Sequence, residues 1–254
     1  VSQSGGIGVM AHARAQDDGL GFRVMVSCGN EATLTVADFM HALVHDDGTK
    51  VLAVYVEALA DAAAFVRALE AARNRGKPVV VMKGGASEAS GRAALAHTGR
   101  LAGSDRVFDA VLREFAAIRV HSTEELLDVS LQLASLREDQ LPAGDRVLVS
   151  SFGGGSGVVC VDQCVREGLV VPTLGASMRA AAAPLLTPLG SVANPVDFTP
   201  GMITDPANRA RMPDALRVLS SAPDVDAWIF LAAGFANHAR EVAQMFDVAQ
   251  QRSS

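Results

Sequence analysis

Short, continuously apolar runs alternate along the chain with longer stretches whose apolar residues recur at helical spacing. The apolar runs are rich in β-branched residues and predict strands over 22–26, 51–56, 79–82 and 118–120. The longer stretches predict helices over 36–45, 61–75 and 122–136. Strands that are apolar throughout are typical of a parallel sheet covered on both faces, and alternation with helices indicates βαβ units. The first half of the chain is therefore predicted to be α/β.

A polar stretch over 137–145 interrupts this pattern, and a new strand is predicted immediately after it, over 146–150. The interruption predicts a domain boundary near 142, with one domain over 1–142 and a second over 143–254. The second half then gives a helix over 213–221 and a strand over 227–231. Both halves are expected to be α/β, with largely parallel sheets flanked by helices.

Each half also carries a glycine-rich turn between a predicted strand end and a helix. Backbone N–H groups at such a turn are unpaired and lie at the positive end of the helix dipole, so they can bind an anion, commonly phosphate. Alternatively, the glycines only allow a tight turn, and this interpretation stays open. The candidate phosphate-binding residues are Ser2, Ser4, Gly5, Gly6, Gly154, Gly155, Ser156 and Gly157.

Neither turn matches a more specific nucleotide or hydrolase motif. Val158 stands where a G-x-G-x-x-G fingerprint counted from Gly153 needs its last glycine, and no G-K-[ST] occurs in the chain. The segment around Ser156 also lacks the final glycine of a G-x-S-x-G nucleophile elbow. A dinucleotide site, a P-loop and a serine hydrolase are therefore disfavoured.

Charge and composition argue against several classes of binding partner. The chain has 28 acidic and 22 basic residues and a net charge of −6, which argues against a nucleic-acid partner. No apolar run approaches the roughly 18 residues that a membrane span needs, so we expect a soluble, cytoplasmic protein with no membrane partner. The 3 cysteines are expected to be reduced, and the histidine spacing does not predict a zinc or other metal site.

The stretch over 83–103 is rich in glycine and small residues and is expected to form a long loop at the carboxyl edge of the first sheet. Ligands bind at this edge in open α/β sheets. His97 lies in the loop, and Glu57 ends a strand at the same edge. A carboxylate there can bind one imidazole nitrogen and leave the other as a nucleophile. The alternative is a solvated loop histidine and a solvated strand end.

Several short motifs occur in a fixed order over nearly the whole chain. They are Ser2-Gln3-Ser4-Gly5, Gly29-Asn30-Glu31, Tyr55-Val56-Glu57, the run 77–85, the run 97–105, Gly153-Gly154-Gly155-Ser156-Gly157-Val158 and Asn194-Pro195-Val196-Asp197. In this set, and above all in its His-Thr-Gly segment, the chain resembles the NDP-forming acyl-CoA synthetases, relatives of succinyl-CoA synthetase.

The resemblance implies two flavodoxin-like domains and a phosphohistidine relay. It implies that His97 is the phosphorylated residue, that Glu57 orients it, and that the two glycine turns hold the phosphoryl group. CoA, ATP or ADP, and Mg²⁺ would bind mainly to a CoA-binding Rossmann domain and an ATP-grasp module, which these 254 residues lack. The substrate would be a small carboxylic acid.

Because the chain opens at Val1 directly before a glycine turn, without an initiating Met, we expect a piece of a longer protein. A homo-oligomer is compatible with this expectation. A regulatory protein that senses CoA or acyl-CoA without phosphoryl transfer is the alternative function.

Overall fold

The structure is a computed structural model that describes residues 1–17, 21–85, 104–136, 141–232, 234–235 and 238–251. The chain divides into two compact units, Val1–Gln140 and Leu141–Ser254. Among the described residues, no helix has the length and apolar character needed to cross a membrane.

The first unit contains one parallel sheet with the strand order β1-β2-β3. Val54 lies opposite Val81, and Val81 lies opposite Arg119 on the other side. The described elements are α1 (Gly5–Asp17), α2 (Val36–Val44), β1 (Leu52–Val56), α3 (Ala62–Asn74), β2 (Val79–Lys83), α4 (Asp105–Glu114), β3 (Ile118–Val120) and α5 (Thr123–Ser135).

Side chains cap the N-termini of three helices of this unit, α2, α3 and α5. Thr35 and Asp38 form a capping box at the start of α2, and Asp61 accepts a hydrogen bond from Ala64 N–H at the start of α3. Gly76 follows α3 with φ +62°, a left-handed conformation that glycine adopts without strain, so the helix ends before β2.

The prediction of a strand over 22–26 is wrong. Residues 22–26 form no strand, and the nearest pairing is a parallel bridge between Ser2 and Ser27, just after this segment. Phe22, Val24 and Met25 are all more than a third exposed. An apolar, β-branched run therefore lies at a sheet margin, where few neighbours pair with its backbone.

The second unit contains another parallel sheet, with the strand order β5-β4-β6. Ser151 at the end of β4 pairs with Asp197 of β5 and with Leu231 of β6. The elements are β4 (Val147–Ser151), α6 (Gly154–Arg166), α7 (Ala176–Ala182), a 3-10 turn (Ala183–Leu185), β5 (Val196–Asp197), α8 (Gly201–Thr204), α9 (Pro206–Arg209), α10 (Met212–Ser220), β6 (Ala227–Leu231) and α11 (Ala239–Gln251).

Each unit buries its own apolar core. In the first unit, Val54 and Val81 from the sheet pack with Phe65 of α3 in a cluster with almost no exposure. In the second unit, Phe152 packs against the rings of Phe198 and Phe230, with ring centroids 6.5 and 5.2 Å away. Because each sheet is central and covered by helices, the predicted α/β class is confirmed, and the strand ends can support functional turns.

Candidate functional site

The first glycine turn is built from serine hydroxyls that hold the backbone at the start of α1. Ser2 Oγ donates to Ser4 O at 2.7 Å and accepts from Ser4 N–H at 3.1 Å. Ser4 Oγ accepts from Ile7 N–H at 3.3 Å. Gly5 and Gly6 are exposed. Because N–H groups in the first turn of a helix have no partner within the helix, this turn can donate to an anion.

Gln3 joins this turn to the end of β1. Its Oε1 accepts from the N–H groups of Glu57 at 2.5 Å and of Ala58 at 3.2 Å. Its Nε2 donates to Ala58 O at 2.7 Å. The structure therefore places Glu57 and the α1 turn together at the carboxyl edge of the first sheet. Gln3 was part of a recognised motif but was not among the predicted site residues.

Glu57 is bound by the only tyrosine in the chain, Tyr55. Tyr55 Oη donates to Glu57 Oε1 at 3.1 Å. Burial, with the nearby Glu57 charge and this hydrogen bond, raises the pKa of Tyr55 to about 12. Tyr55 therefore stays protonated near neutral pH and remains a donor that orients the carboxylate.

At the end of β2, the backbone at Gly84 comes close to the side chains of Tyr55 and Glu57. A Cβ built on Gly84 would lie 2.6 Å from Tyr55 Oη and 3.4 Å from Glu57 Cγ. Glycine at 84 therefore lets the backbone at the end of β2 lie directly against the Tyr55 and Glu57 side chains. His97 follows in the sequence, and it lies outside the described residues.

A buried lysine next to Gly84 was not predicted from the sequence. The Lys83 side chain is 3 % exposed, and its Nζ lies 3.4 Å from Asp105 Oδ1. Arg119 also binds Asp105 at 2.8 Å, and it binds Asp109 as well. The hydrogen bond from Arg119 and the nearby Lys83 hold the pKa of Asp105 below its usual range. This network fixes the start of α4. The feature of the sequence that could have revealed the network is a lysine at the end of an apolar strand.

The second glycine turn begins α6 in the other unit. Ser151 Oγ donates to Gly153 O at 2.6 Å, and Ser156 Oγ donates to the same oxygen at 2.8 Å. Both hydroxyls bind a carbonyl, and among the described residues no side-chain hydrogen bond caps this helix. The N–H groups of Gly154 and Gly155 are therefore available to an anion.

Three residues of the Asn194-Pro195-Val196-Asp197 motif lie close to this turn or to the strand before it. Asn194 Oδ1 accepts from Val149 N–H at 2.9 Å, which fixes the motif against β4. A Cβ built on Gly157 would lie 3.1 Å from Pro195 Cβ, and one built on Gly154 would lie 2.9 Å from Asp197 Oδ2. Glycine at both positions thus permits close approach of this segment. Asp197 belongs to this motif but was not a predicted site residue.

The cysteines lie close to the elements that carry these turns: Cys28 N–H donates to Ser2 O at 2.8 Å, and Cys160 and Cys164 lie in α6. Cys28, Cys160 and Cys164 are free thiols, and burial raises the pKa values of Cys28 and Cys160. His41 and His45 stack edge-on along α2, with ring centroids 4.9 Å apart. Within the described ranges, no three His, Cys, Asp or Glu side chains come together in a way that could hold a metal ion.

The fold and the turns define a class: parallel α/β units in which a helix starts at a glycine turn beside the carboxyl end of a strand. Comparison with known proteins narrows this class. Residues 1–133 match the family model for the succinyl-CoA ligase like flavodoxin domain. Because the match covers more than half of the chain, the protein belongs to this family of NDP-forming acyl-CoA synthetase-like proteins.

Curated relatives agree with the family. The chain is 33 % identical to the acetate–CoA ligase (ADP-forming) I subunit alpha of Pyrococcus furiosus, over 85 % of this chain and 46 % of that protein. It is 35 % identical to the 4-hydroxybutyrate–CoA ligase (ADP-forming) of Nitrosopumilus maritimus, over 78 % of this chain and 28 % of that protein. The chain thus spans less than half the length of these relatives.

A solved structure is also similar. The dinucleotide forming acetyl-coenzyme A synthetase 1 of Ca. Korarchaeum cryptofilum, in complex with phosphate and ADP, superimposes with a TM-score of 0.83. The two are 27 % identical, and the match covers 98 % of this chain and 53 % of the other.

Proposed function

We propose that this chain is the part of an NDP-forming acyl-CoA synthetase that carries the phosphorylated histidine. The whole enzyme interconverts acyl-CoA, NDP and phosphate with a carboxylic acid, CoA and NTP. Relatives named as ADP-forming CoA ligases support this proposal. The structural observation that carries it is the junction of the α1 turn with Glu57 through Gln3.

In the proposed reaction, phosphate attacks the acyl carbonyl of acyl-CoA and releases CoA, which leaves an acyl phosphate. An imidazole nitrogen of His97 then attacks the phosphorus, and the bond to the carboxylate oxygen breaks, which releases the acid. The phosphoryl group finally passes from His97 to the terminal phosphate of an NDP. Such transfers depend on positioning and on electrostatic stabilisation of phosphoryl oxygens.

The described residues supply both requirements in this proposal. Glu57 accepts a hydrogen bond from one nitrogen of His97, which fixes the tautomer and leaves the other nitrogen as the nucleophile. Tyr55, protonated at neutral pH, orients the Glu57 carboxylate. In the first unit the N–H groups at Gly5 and Gly6 bind phosphoryl oxygens, and in the second unit those at Gly154 and Gly155 bind phosphate oxygens.

The proposal also assigns partners. CoA binds a Rossmann domain, and the nucleotide with Mg²⁺ binds an ATP-grasp module, on the same polypeptide or on another subunit. A small carboxylic acid is the substrate. Mg²⁺ would neutralise charge on the transferring phosphate where it binds.

The test is a coupled assay of the chain supplied with both modules. Acyl-CoAs of increasing length are offered with ADP or GDP, phosphate and Mg²⁺, and NTP formation and free thiol are measured. We expect both products in equal amounts with at least one acyl-CoA. His97→Asn should abolish NTP formation, whereas His121→Asn, at an exposed histidine of the same unit, should not. Undiminished activity of His97→Asn would overturn the proposal.

A further inference from the structure

Lys83 is a buried lysine at the end of β2, where the chain leaves the sheet toward His97. Its side chain is 3 % exposed, and its Nζ lies 3.4 Å from Asp105 Oδ1. The same nitrogen lies 5.6 Å from the centre of the Phe108 ring. Among the described residues, this ammonium group has no hydrogen-bond partner. An ammonium buried with so few partners is costly, so this lysine does not serve the stability of β2.

Asp105 is already held without Lys83. Arg119 Nη2 donates to Asp105 Oδ1 at 2.8 Å, and Arg119 Nη1 donates to Asp109. Because the two carboxylates lie one turn apart on α4, this single guanidinium group fixes the start of the helix. Lys83 therefore brings a second cation to a carboxylate that is already paired.

The ion pair joins the two ends of the segment that carries His97. Lys83 immediately precedes residues 84–104, and Asp105 immediately follows them. A segment whose ends are held together adopts fewer conformations than one whose ends are free. Fewer conformations raise the fraction of time that a reactive group spends beside its partner. The ion pair therefore supplies a restraint to the part of the chain that needs positioning in the proposed reaction.

The end of the segment that Lys83 holds lies beside Glu57. Gly84 N–H donates to Val56 O at 2.8 Å, and a Cβ built on Gly84 would lie 3.4 Å from Glu57 Cγ. In the proposed reaction, Glu57 binds one imidazole nitrogen of His97. A displacement of about 1 Å between reacting groups can cost about a hundredfold in rate. A change at Lys83 is therefore expected to reach the reaction through Gly84, its neighbour in the chain.

We propose that Lys83 is a positioning residue: by pairing with Asp105, it holds the segment that carries His97 so that the imidazole meets Glu57. This proposal rests on the proposed function, in which His97 is phosphorylated. It goes further by making the rate of that step depend on a buried ion pair.

The test measures how fast His97 is labelled in the chain supplied with an ATP-grasp module, Mg²⁺ and ATP labelled at its terminal phosphate. Lys83→Met keeps a side chain of similar length and removes its charge. We expect labelling to slow about ten- to a hundredfold at saturating ATP, while the ATP concentration that gives half the maximal rate changes by less than about threefold. The unfolding temperature should stay within about 2 °C of the wild type, because Asp105 keeps its bond to Arg119.

Asp105→Asn removes the same ion pair from its other side. Two residues that act as one pair give non-additive effects when both are changed. We therefore expect Lys83→Met to slow labelling by about threefold or less when it is introduced into the Asp105→Asn variant.

Lys77→Met is the matched control at the opposite end of the same strand. Lys77 Nζ donates to Leu43 O at 3.1 Å and to Asp46 O at 2.7 Å, so this substitution should lower the unfolding temperature and leave the labelling rate unchanged. Absence of label from the wild-type chain would overturn the proposed function, and with it the role of Lys83. If the wild type is labelled, an unchanged rate in Lys83→Met, an equal slowing in Lys77→Met, or additive effects of Lys83→Met and Asp105→Asn would overturn the role of Lys83 alone.

Discussion

Replacing Gln3 by alanine tests whether one side chain holds the α1 turn against the end of β1. The side chain makes hydrogen bonds with Glu57 N–H, Ala58 N–H and Ala58 O, at 2.5, 3.2 and 2.7 Å. Each such bond contributes about 0.5–1.5 kcal/mol net, and Ala58 is buried, so its groups would lose their partners. We expect Gln3→Ala to lower the free energy of unfolding of the first unit by about 2–3 kcal/mol.

The assay is urea unfolding followed by circular dichroism, together with hydrogen exchange at the amides of Glu57 and Ala58. The single tryptophan, Trp228, lies in the second unit, so its fluorescence follows that unit separately. Gln163→Ala is the matched control, because Gln163 makes one exposed bond, and it should cost about 0.5 kcal/mol or less. Equal losses in the two variants, or unchanged exchange at residues 57 and 58, would refute the reasoning.

Three further variants test the electrostatics and packing of the two units. Glu57→Gln should lower the pKa of Tyr55 from about 12, yet leave it above 10, because burial is the larger cause of the raised value. The pKa is measured from the ultraviolet absorbance of this single tyrosine, and an unchanged value would contradict the contact between Tyr55 and Glu57. The Arg146 guanidinium lowers the pKa of Asp226 to about 2, below its unfolded value, so the stability from this pair is present above about pH 4 and is lost as the pH falls toward 2. Asp226→Asn should remove this contribution, so the urea midpoint of unfolding should fall less between about pH 4 and pH 2 than in the wild type. An unaltered dependence of the midpoint on pH would argue against a stabilising pair between Arg146 and Asp226. Gly154→Ala should lower the free energy of unfolding by about 1–3 kcal/mol, because its Cβ would lie 2.9 Å from an anchored carboxylate oxygen of Asp197. If the variant unfolds at the same temperature as the wild type, the carboxylate moves freely and the reasoning is wrong.

Central strands were predictable from the sequence, whereas edge and short elements were not. β1 and β2 are continuously apolar and buried, and their predicted positions are confirmed to within about one residue. The run over 22–26 is also mostly apolar but lies exposed, because pairing partners rather than composition decide whether a run joins a sheet. β5 has only two residues, too few for any periodicity. α4 follows a glycine-rich stretch that concealed its start at Asp105.

The positions of the two glycine turns were predictable because a glycine-rich stretch before a helix is a local sequence pattern. Glycine turns before helices are visible in the sequence, and the structure places Gly5 and Gly154 at the first residues of α1 and α6. Gln3 binds Glu57, and Asp197 pairs with Ser151 across the sheet, and in each case the partner is more than forty positions away along the chain. Neither contact can be recognised from the spacing of residues in the sequence. His97 lies outside the described residues, so its role remains a prediction from the sequence.

The most direct test of the account is phosphorylation of His97. The chain is incubated with Mg²⁺, ATP labelled at its terminal phosphate and an ATP-grasp module shown to bind nucleotide, and protein-bound label is tested for stability in acid and base. The account predicts acid-labile, base-stable label in the wild-type chain and none in His97→Asn. Absence of label from the wild-type chain, or equal label in His97→Asn, would contradict the phosphohistidine relay.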